Sequence, residues 1–288
     1  MRLPANLART AADEPAVLAW TGGLPSIVCD VAALWSLAID APFDPGGTAS
    51  WVAPARTATG ADVVVKIAWR HYEADHEADG LREWNGRGVV QLLDFHRHDE
   101  LTDVLLLEAC DPGTSATMRP ETEQDEIVAA VLRAMWIAPA PDAPFRPLSS
   151  MCDAWVAATD VEQATTLVAD PGMVRAGLQL FTELAAAPVP AVLLASDLHG
   201  GNILAARRAP WLTVDPKPYV GDPTYDPLQH LLNCTERLVA APRALVERMA
   251  ALLDLDAARL MTWLFARCVI GCPEQPELAA VARALAPA

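Results

Sequence analysis

Two acidic positions bracket one short hairpin in this chain, and that arrangement constrains its fold more than any other feature of the 288 residues. Ser196-Asp197-Leu198-His199-Gly200-Gly201-Asn202 leads into the apolar runs Ile203-Leu204-Ala205 and Trp211-Leu212-Thr213-Val214, which end on Asp215-Pro216-Lys217. Between the runs, Ala206-Arg207-Arg208-Ala209-Pro210 has the charge and proline of a turn. A turn centred on Arg208 and Ala209 sets Asn202 opposite Asp215. Paired antiparallel positions lie about 4.5 to 5.5 Å apart and point to one face, so an amide oxygen and a carboxylate converge. Such oxygens suit a hard divalent cation, with Mg²⁺ taking its other positions from water and substrate phosphates. Asp197 comes five residues before Asn202, and Gly200 and Gly201 let the backbone fold back between them. A proton acceptor beside a metal that neutralises phosphates is the equipment of phosphoryl transfer. Pro216 is expected to hold Asp215 extended.

The first half of the chain supplies a complementary pair. Asp62 to Trp69 reads as a strand from its β-branched content, and Lys66 interrupts the face it shares with Val64 and Ala68. An unpaired buried ammonium costs several kcal/mol, so such a lysine calls for an anionic partner. Glu77 lies in the helical stretch Tyr72 to Trp84, with Leu81 and Trp84 one and two turns on, which puts it on the inward stripe. Glu73, one turn earlier, is the competing carboxylate. A Lys–Glu pair of this kind grips nucleotide phosphates in kinase-like sites. The runs 89–95 and 104–110 flank a polar turn as an antiparallel pair. After Cys110, Asp111-Pro112-Gly113-Thr114 marks the expected boundary between an N-terminal lobe, residues 1–110, and a helical lobe, residues 111–288. In the latter, helices are expected over 121–136, 152–168, 172–187, 227–238, 243–253 and 257–270.

With these residues in view, D-L-H-G-G-N-I-L followed by W-L-T-V-D-P-K-P-Y-V-G-D-P-T-Y-D, together with K-I-A-W and H-E-A-D-G-L-R-E-W, resembles the aminoglycoside phosphotransferase family. The similarity is to its branch of streptomycin 6-phosphotransferases and hydroxyurea kinases. That resemblance implies an α+β, two-lobed, protein-kinase-like fold that moves the γ-phosphate of ATP to a hydroxyl of a small molecule, typically an aminoglycoside antibiotic. It implies Asp197 as catalytic base, Asn202 and Asp215 as Mg²⁺ ligands, Lys66 and Glu77 as the phosphate grip, and the backbone of Glu108 to Cys110 as the adenine hinge. Asp226 would buttress the catalytic loop, or serve as a plain N-cap. By order along the chain, Asp44-Pro45-Gly46-Gly47-Thr48 would be a phosphate-covering turn, although Gly-Gly after Pro is also an ordinary hairpin turn. One departure stands out: many members have His-Gly before the catalytic aspartate, where this chain has Ala195-Ser196.

Composition narrows the partners. A formal net charge of −16 disfavours nucleic acid and anionic membrane and would steer a cationic substrate, although surplus acid also simply aids solubility. Asp153, Asp160, Glu162 and Asp222 are the carboxylates expected to meet substrate ammonium groups. No uninterrupted apolar run approaches the roughly 20 residues that cross a bilayer, and the first residues lack a signal-peptide core, so a cytoplasmic location is expected. Six cysteines do not suggest a disulfide framework. Two other readings stay open: a kinase of primary metabolism acting on a sugar or amino alcohol, and a nucleotide-binding pseudokinase.

Overall fold

The computed structural model describes residues 2–72 and 75–287. By contact density the chain divides into two compact units, Met1–Gly113 and Thr114–Ala288.

The first unit begins with two helices, α1 (Ala5–Asp13) and α2 (Pro15–Trp35), followed by β1 (Leu37–Ile39), β2 (Ser50–Thr57), β3 (Asp62–Trp69), α3 (Glu77–Trp84), β4 (Leu92–Asp99) and β5 (Thr102–Glu108). The strands form one antiparallel sheet in the order β1-β2-β3-β5-β4. Val17, Trp20, Leu24, Ile27 and Val31 recur at helical spacing on α2 and pack with Trp51, Ala53, Val65, Ile67 and Val104 of the sheet. Inside this core the Trp20 indole N–H donates to the Thr102 hydroxyl at 3.0 Å. Helix α2 forms despite Gly22, Gly23 and Pro25, whose intrinsic preference is against it, because burial of that apolar face outweighs propensity. By length and composition α2 would suffice to cross a bilayer, although Thr21, Ser26 and Asp30 interrupt its apolar run. One face of it packs on the sheet, while Leu18 and Leu34 stand exposed on the other.

Helix α3 starts at Glu77, later than expected, behind His76 in a left-handed conformation at φ 68°. The competing carboxylate Glu73 lies outside the described residues. Strand β4 likewise begins at Leu92 rather than at residue 89, and its pairing with β5 slips twice.

In the second unit the order is α4 (Glu121–Met135), α5 (Leu148–Ala158), α6 (Val161–Val168), α7 (Pro171–Ala186), β6 (Val192–Leu194), β7 (Ile203–Ala205), β8 (Trp211–Thr213), β9 (Tyr219–Gly221), α8 (Leu228–Asn233), α9 (Thr235–Ala240), α10 (Pro242–Leu253), α11 (Ala257–Gly271) and α12 (Leu278–Leu285). The strands make two small antiparallel pairs, β6 with β9 and β7 with β8. Two expected helices are each split. The Asp160 side chain accepts from the Gln163 N–H and caps a new helix, α6, while Cys234 ends α8 and starts α9. An aromatic cluster fills the centre of this unit, with Phe181 5.5 Å from Trp263 edge-on and Tyr225 5.2 Å from Trp263.

Candidate active site

The paired charges of the first unit meet as expected. Lys66, at the middle of β3, places its ammonium 2.7 and 2.6 Å from the two oxygens of Glu77 on α3. Both side chains are buried, so each offsets a desolvation cost that neither could bear alone. Glu108, at the end of β5, is doubly tied to Gln91: its N–H donates to the Gln91 carbonyl at 2.9 Å, and its carboxylate accepts from the Gln91 N–H at 3.0 Å. Cys110 follows the strand, half-buried. The loop around Asp44 is stitched to the first helix. Asp44 accepts from the Ala5 N–H and from Arg2, both at 2.9 Å, and the Gly46 carbonyl accepts from Asn6 at 2.8 Å. These bonds use acceptors of the turn and anchor it to the N-terminal segment.

In the second unit the loop after β6 is held from beneath by one carboxylate. Asp226, wholly buried, accepts from the Ser196 N–H at 2.7 Å, the Ala195 N–H at 3.2 Å and the Trp136 indole N–H at 2.9 Å. Burial pushes its pKa up to about 6, and the three neutral donors hold that rise in check. The Ser196 hydroxyl donates to the Lys217 carbonyl at 2.6 Å, and the Lys217 N–H donates to the Ala195 carbonyl at 2.9 Å. Main-chain amides and a serine hydroxyl therefore fix the loop with alanine at position 195.

Beyond this clamp the loop folds back on itself. Asn202 donates from its side-chain amide to the Asp197 carbonyl at 3.0 Å, and its N–H donates to the His199 carbonyl at 2.9 Å. His199 accepts the Gly201 N–H on Nδ1 at 3.1 Å, so Nε2 carries the proton of the neutral ring. Burial, helped by nearby His230 and opposed by Asp215, lowers the pKa of this imidazole. Gly200 packs closely against α4, since a Cβ there would come within 2.6 Å of the Gln124 amide oxygen and would have to displace that side chain.

The hairpin register differs from expectation by one residue. Ile203 pairs with Thr213 and Leu204 with Leu212, so the turn centres on Arg208 and the Val214 N–H donates to the Asn202 carbonyl at 2.9 Å. Asp215 therefore lies one position past the partner of Asn202. Its backbone is not extended but left-handed, φ 55°, which turns the chain sharply as it leaves the strand. The structure brings Asp197, His199, Asn202 and Asp215 into one cluster of loops around β7 and β8. An amide oxygen and a carboxylate are hard oxygen donors of the kind Mg²⁺ takes, and the hydrogen bond from Asn202 to Asp197 turns the amide so that its oxygen faces away from that carbonyl.

Lys217 is the residue that the sequence argument missed. Its Nζ lies 2.7 Å from Asp215 Oδ1. The V-D-P-K string was its only signal, because nothing in the spacing says which way such a side chain folds.

Among the carboxylates expected to bind substrate, Asp222 is corrected. It is buried, its Oδ1 accepting from the Thr224 N–H at 2.9 Å and its Oδ2 from Arg259 at 2.7 Å and the Trp263 indole at 2.8 Å. A carboxylate so fully engaged is a strut between the β9 corner and α11. Asp153, Asp160 and Glu162 lie exposed along α5 and the start of α6, with Asp160 also serving as the cap of α6.

Comparison with known proteins places the chain in a family. Residues 35–274 match the family model described as aminoglycoside/hydroxyurea antibiotic resistance kinase. A streptomycin 6-kinase of Streptomyces griseus is 36% identical over 86% of this chain and 82% of its own length. A hydroxyurea phosphotransferase of Kitasatospora aureofaciens is 33% identical over 87% of this chain and 72% of its own. In fold, the chain is similar to the crystal structure of aminoglycoside phosphotransferase APH(4)-Ia, with a TM-score of 0.56 and 12% identity over 91% of this chain and 98% of that one. The family match spans most of the chain and includes both the Lys66–Glu77 pair and the Asp197 loop: the protein belongs to the aminoglycoside/hydroxyurea antibiotic resistance kinases.

Proposed function

We propose that this protein is an ATP- and Mg²⁺-dependent O-phosphotransferase that moves the γ-phosphate to a hydroxyl of an aminoglycoside-type antibiotic. The observation that carries this reading is the loop in which Asn202 pins the backbone of Asp197 while Asp226 grips the two amides before it. A rigidly presented carboxylate is what a general base requires, since it must sit within hydrogen-bond reach of the acceptor hydroxyl. Asp197 takes that proton. Asn202 and Asp215 hold the metal, which when bound neutralises charge on the phosphates. In the first unit, the nucleotide-binding lobe of this reading, Lys66 is aimed by Glu77 at the nucleotide phosphates, and the segment Glu108 to Cys110 lies against the adenine.

Thr114 onward is the catalytic and acceptor-binding part, and the exposed Asp153, Asp160 and Glu162 offer negative charge to a cationic acceptor. The excess of acidic residues over the chain favours the same kind of ligand. An enzyme that spends ATP on an antibiotic belongs in the cytoplasm.

The test is a phosphorylation assay with ATP and Mg²⁺ across streptomycin, other aminoglycosides, hydroxyurea, sugars and amino alcohols, with products read by mass. Phosphorylated aminoglycoside is the expected result. Turnover confined to sugars or amino alcohols would move the protein to primary metabolism, and binding of ATP without transfer to any acceptor would make it a pseudokinase.

A further inference from the structure

We propose that the Lys217 ammonium is a placeholder cation: it neutralises Asp215 in the unloaded protein and yields that carboxylate to the metal, and so sets how much Mg²⁺ the enzyme needs. The inference rests on Asp215 being a metal ligand, as proposed above.

Three observations lead to it. The ammonium lies 2.7 Å from Asp215 Oδ1, a charge-assisted contact between residues only two apart. The Lys217 side chain is 17% exposed against 40% for Asp215, so the ammonium sits on the inner side of the pair and the carboxylate on the side nearer solvent. The backbone of Lys217 is anchored on both sides, its N–H bonded to the Ala195 carbonyl and its carbonyl to the Ser196 hydroxyl. Only the four-carbon stem is left to move, and its single bonds allow the ammonium to withdraw while the loop stays fixed.

A metal on the same carboxylate sits about 2.0 to 2.1 Å from its oxygen. With the ammonium still in place, the two positive charges would lie within about 5 Å, where their repulsion is substantial in a partly buried site. Metal entry therefore competes with the lysine.

The experiment is Mn²⁺ binding to the protein–ADP complex, without acceptor, followed by water-proton relaxation, which separates protein-held Mn²⁺ from Mn²⁺ on free ADP. Lys217→Met is expected to lower the Mn²⁺ concentration at half-saturation by about tenfold, and Lys217→Arg, which keeps the charge, to stay within about twofold of the parent. Asp215→Asn should raise it. Should Lys217→Met bind Mn²⁺ no more tightly than the parent while Asp215→Asn binds it more weakly, the placeholder role is wrong and the metal assignment stands. Should Asp215→Asn titrate like the parent, the metal assignment fails and takes this inference with it. Lys217→Gln gives the same reading if the methionine variant is poorly folded.

Discussion

Asp226 and Asp125 are both wholly buried carboxylates of the second unit, yet their surroundings treat them in opposite ways. Asp125, on α4, is surrounded by cationic or ionisable groups. It accepts from His230 at 2.9 Å, from Arg237 at 3.1 and 2.8 Å, and from Arg248 at 2.8 Å. Burial alone would raise its pKa, but these three partners more than offset that and hold it well below the usual carboxylate range. Asp226 receives only neutral N–H dipoles, and burial wins. A carboxylate matched by full charges is a rivet joining α4 to the α8–α10 region; one matched by dipoles stays close to titration at neutral pH, and here it grips the loop that carries Asp197. Asp125, His230 and Cys234 also have the spacing of a metal site, their ligand atoms lying within 4.8 Å of one another, but Asp125 already gives its oxygens to three side chains.

The comparison can be broken at several points. The largest effect belongs to the residue that the Asp226 clamp presents: Asp197→Ala should lower kcat by about 10² to 10⁴ with nucleotide affinity nearly intact, measured by steady-state kinetics and ADP binding. Turnover equal to the parent's would end the assignment of Asp197 as base. Next, Asp125→Ala leaves His230 and two guanidiniums without their anion and should cost about 3 kcal/mol of stability, read from denaturant unfolding. Arg237 and Arg248 are partly exposed, which keeps the figure at the lower end of the range for buried pairs. Asp226→Asn should lower kcat by about 10- to 100-fold, because an amide offers one oxygen where the loop needs two acceptors.

The pH dependence separates the two carboxylates further. Asp226 binds its proton more tightly in the fold than in the unfolded chain, so its contribution to stability is complete below its ordinary value of 3.8 and is lost as pH rises through about 6. The loss amounts to about 3 kcal/mol at most. Asp125 has the reverse sign: its contribution is present above the ordinary carboxylate range and is lost only as pH falls below it. Thermal melting at pH 4.5 and pH 7 should thus show Asp226→Asn gaining on the parent at the higher pH, whereas Asp125→Asn should show no such gain. The smallest effect is expected from Trp136→Phe, which removes one donor to Asp226 and should move that carboxyl's midpoint upward from about 6, followed by carboxyl carbon NMR.

Local pattern made part of this legible and long-range contact hid the rest. Lys66 and Glu77 could be paired in advance because strand alternation and helical spacing each fix a face. The β7–β8 hairpin was readable from its apolar runs, but a five-residue turn does not announce its centre, and that cost one residue of register. The left-handed turn at Asp215 runs against the usual preference before proline, so no local rule could foresee it. Asp222 was expected among the substrate-binding carboxylates because its actual partners, Arg259 and Trp263, arrive from α11, 37 and 41 positions later. Helices α1 and α2 were not anticipated, and in α2 packing of the apolar face against the sheet overrides the poor helix propensity of Gly22, Gly23 and Pro25.

The grip of Asp226 on peptide N–H groups has a practical meaning for protein engineering. Every amino acid except proline supplies that N–H, so identity at position 195 is released from hydrogen-bonding duty and limited instead by size, the Ala195 methyl being wholly enclosed, whereas Ser196 is still held to its identity by the hydroxyl that donates to the Lys217 carbonyl. A library of small residues at 195 should retain turnover, while bulky ones would push β6 off its neighbours.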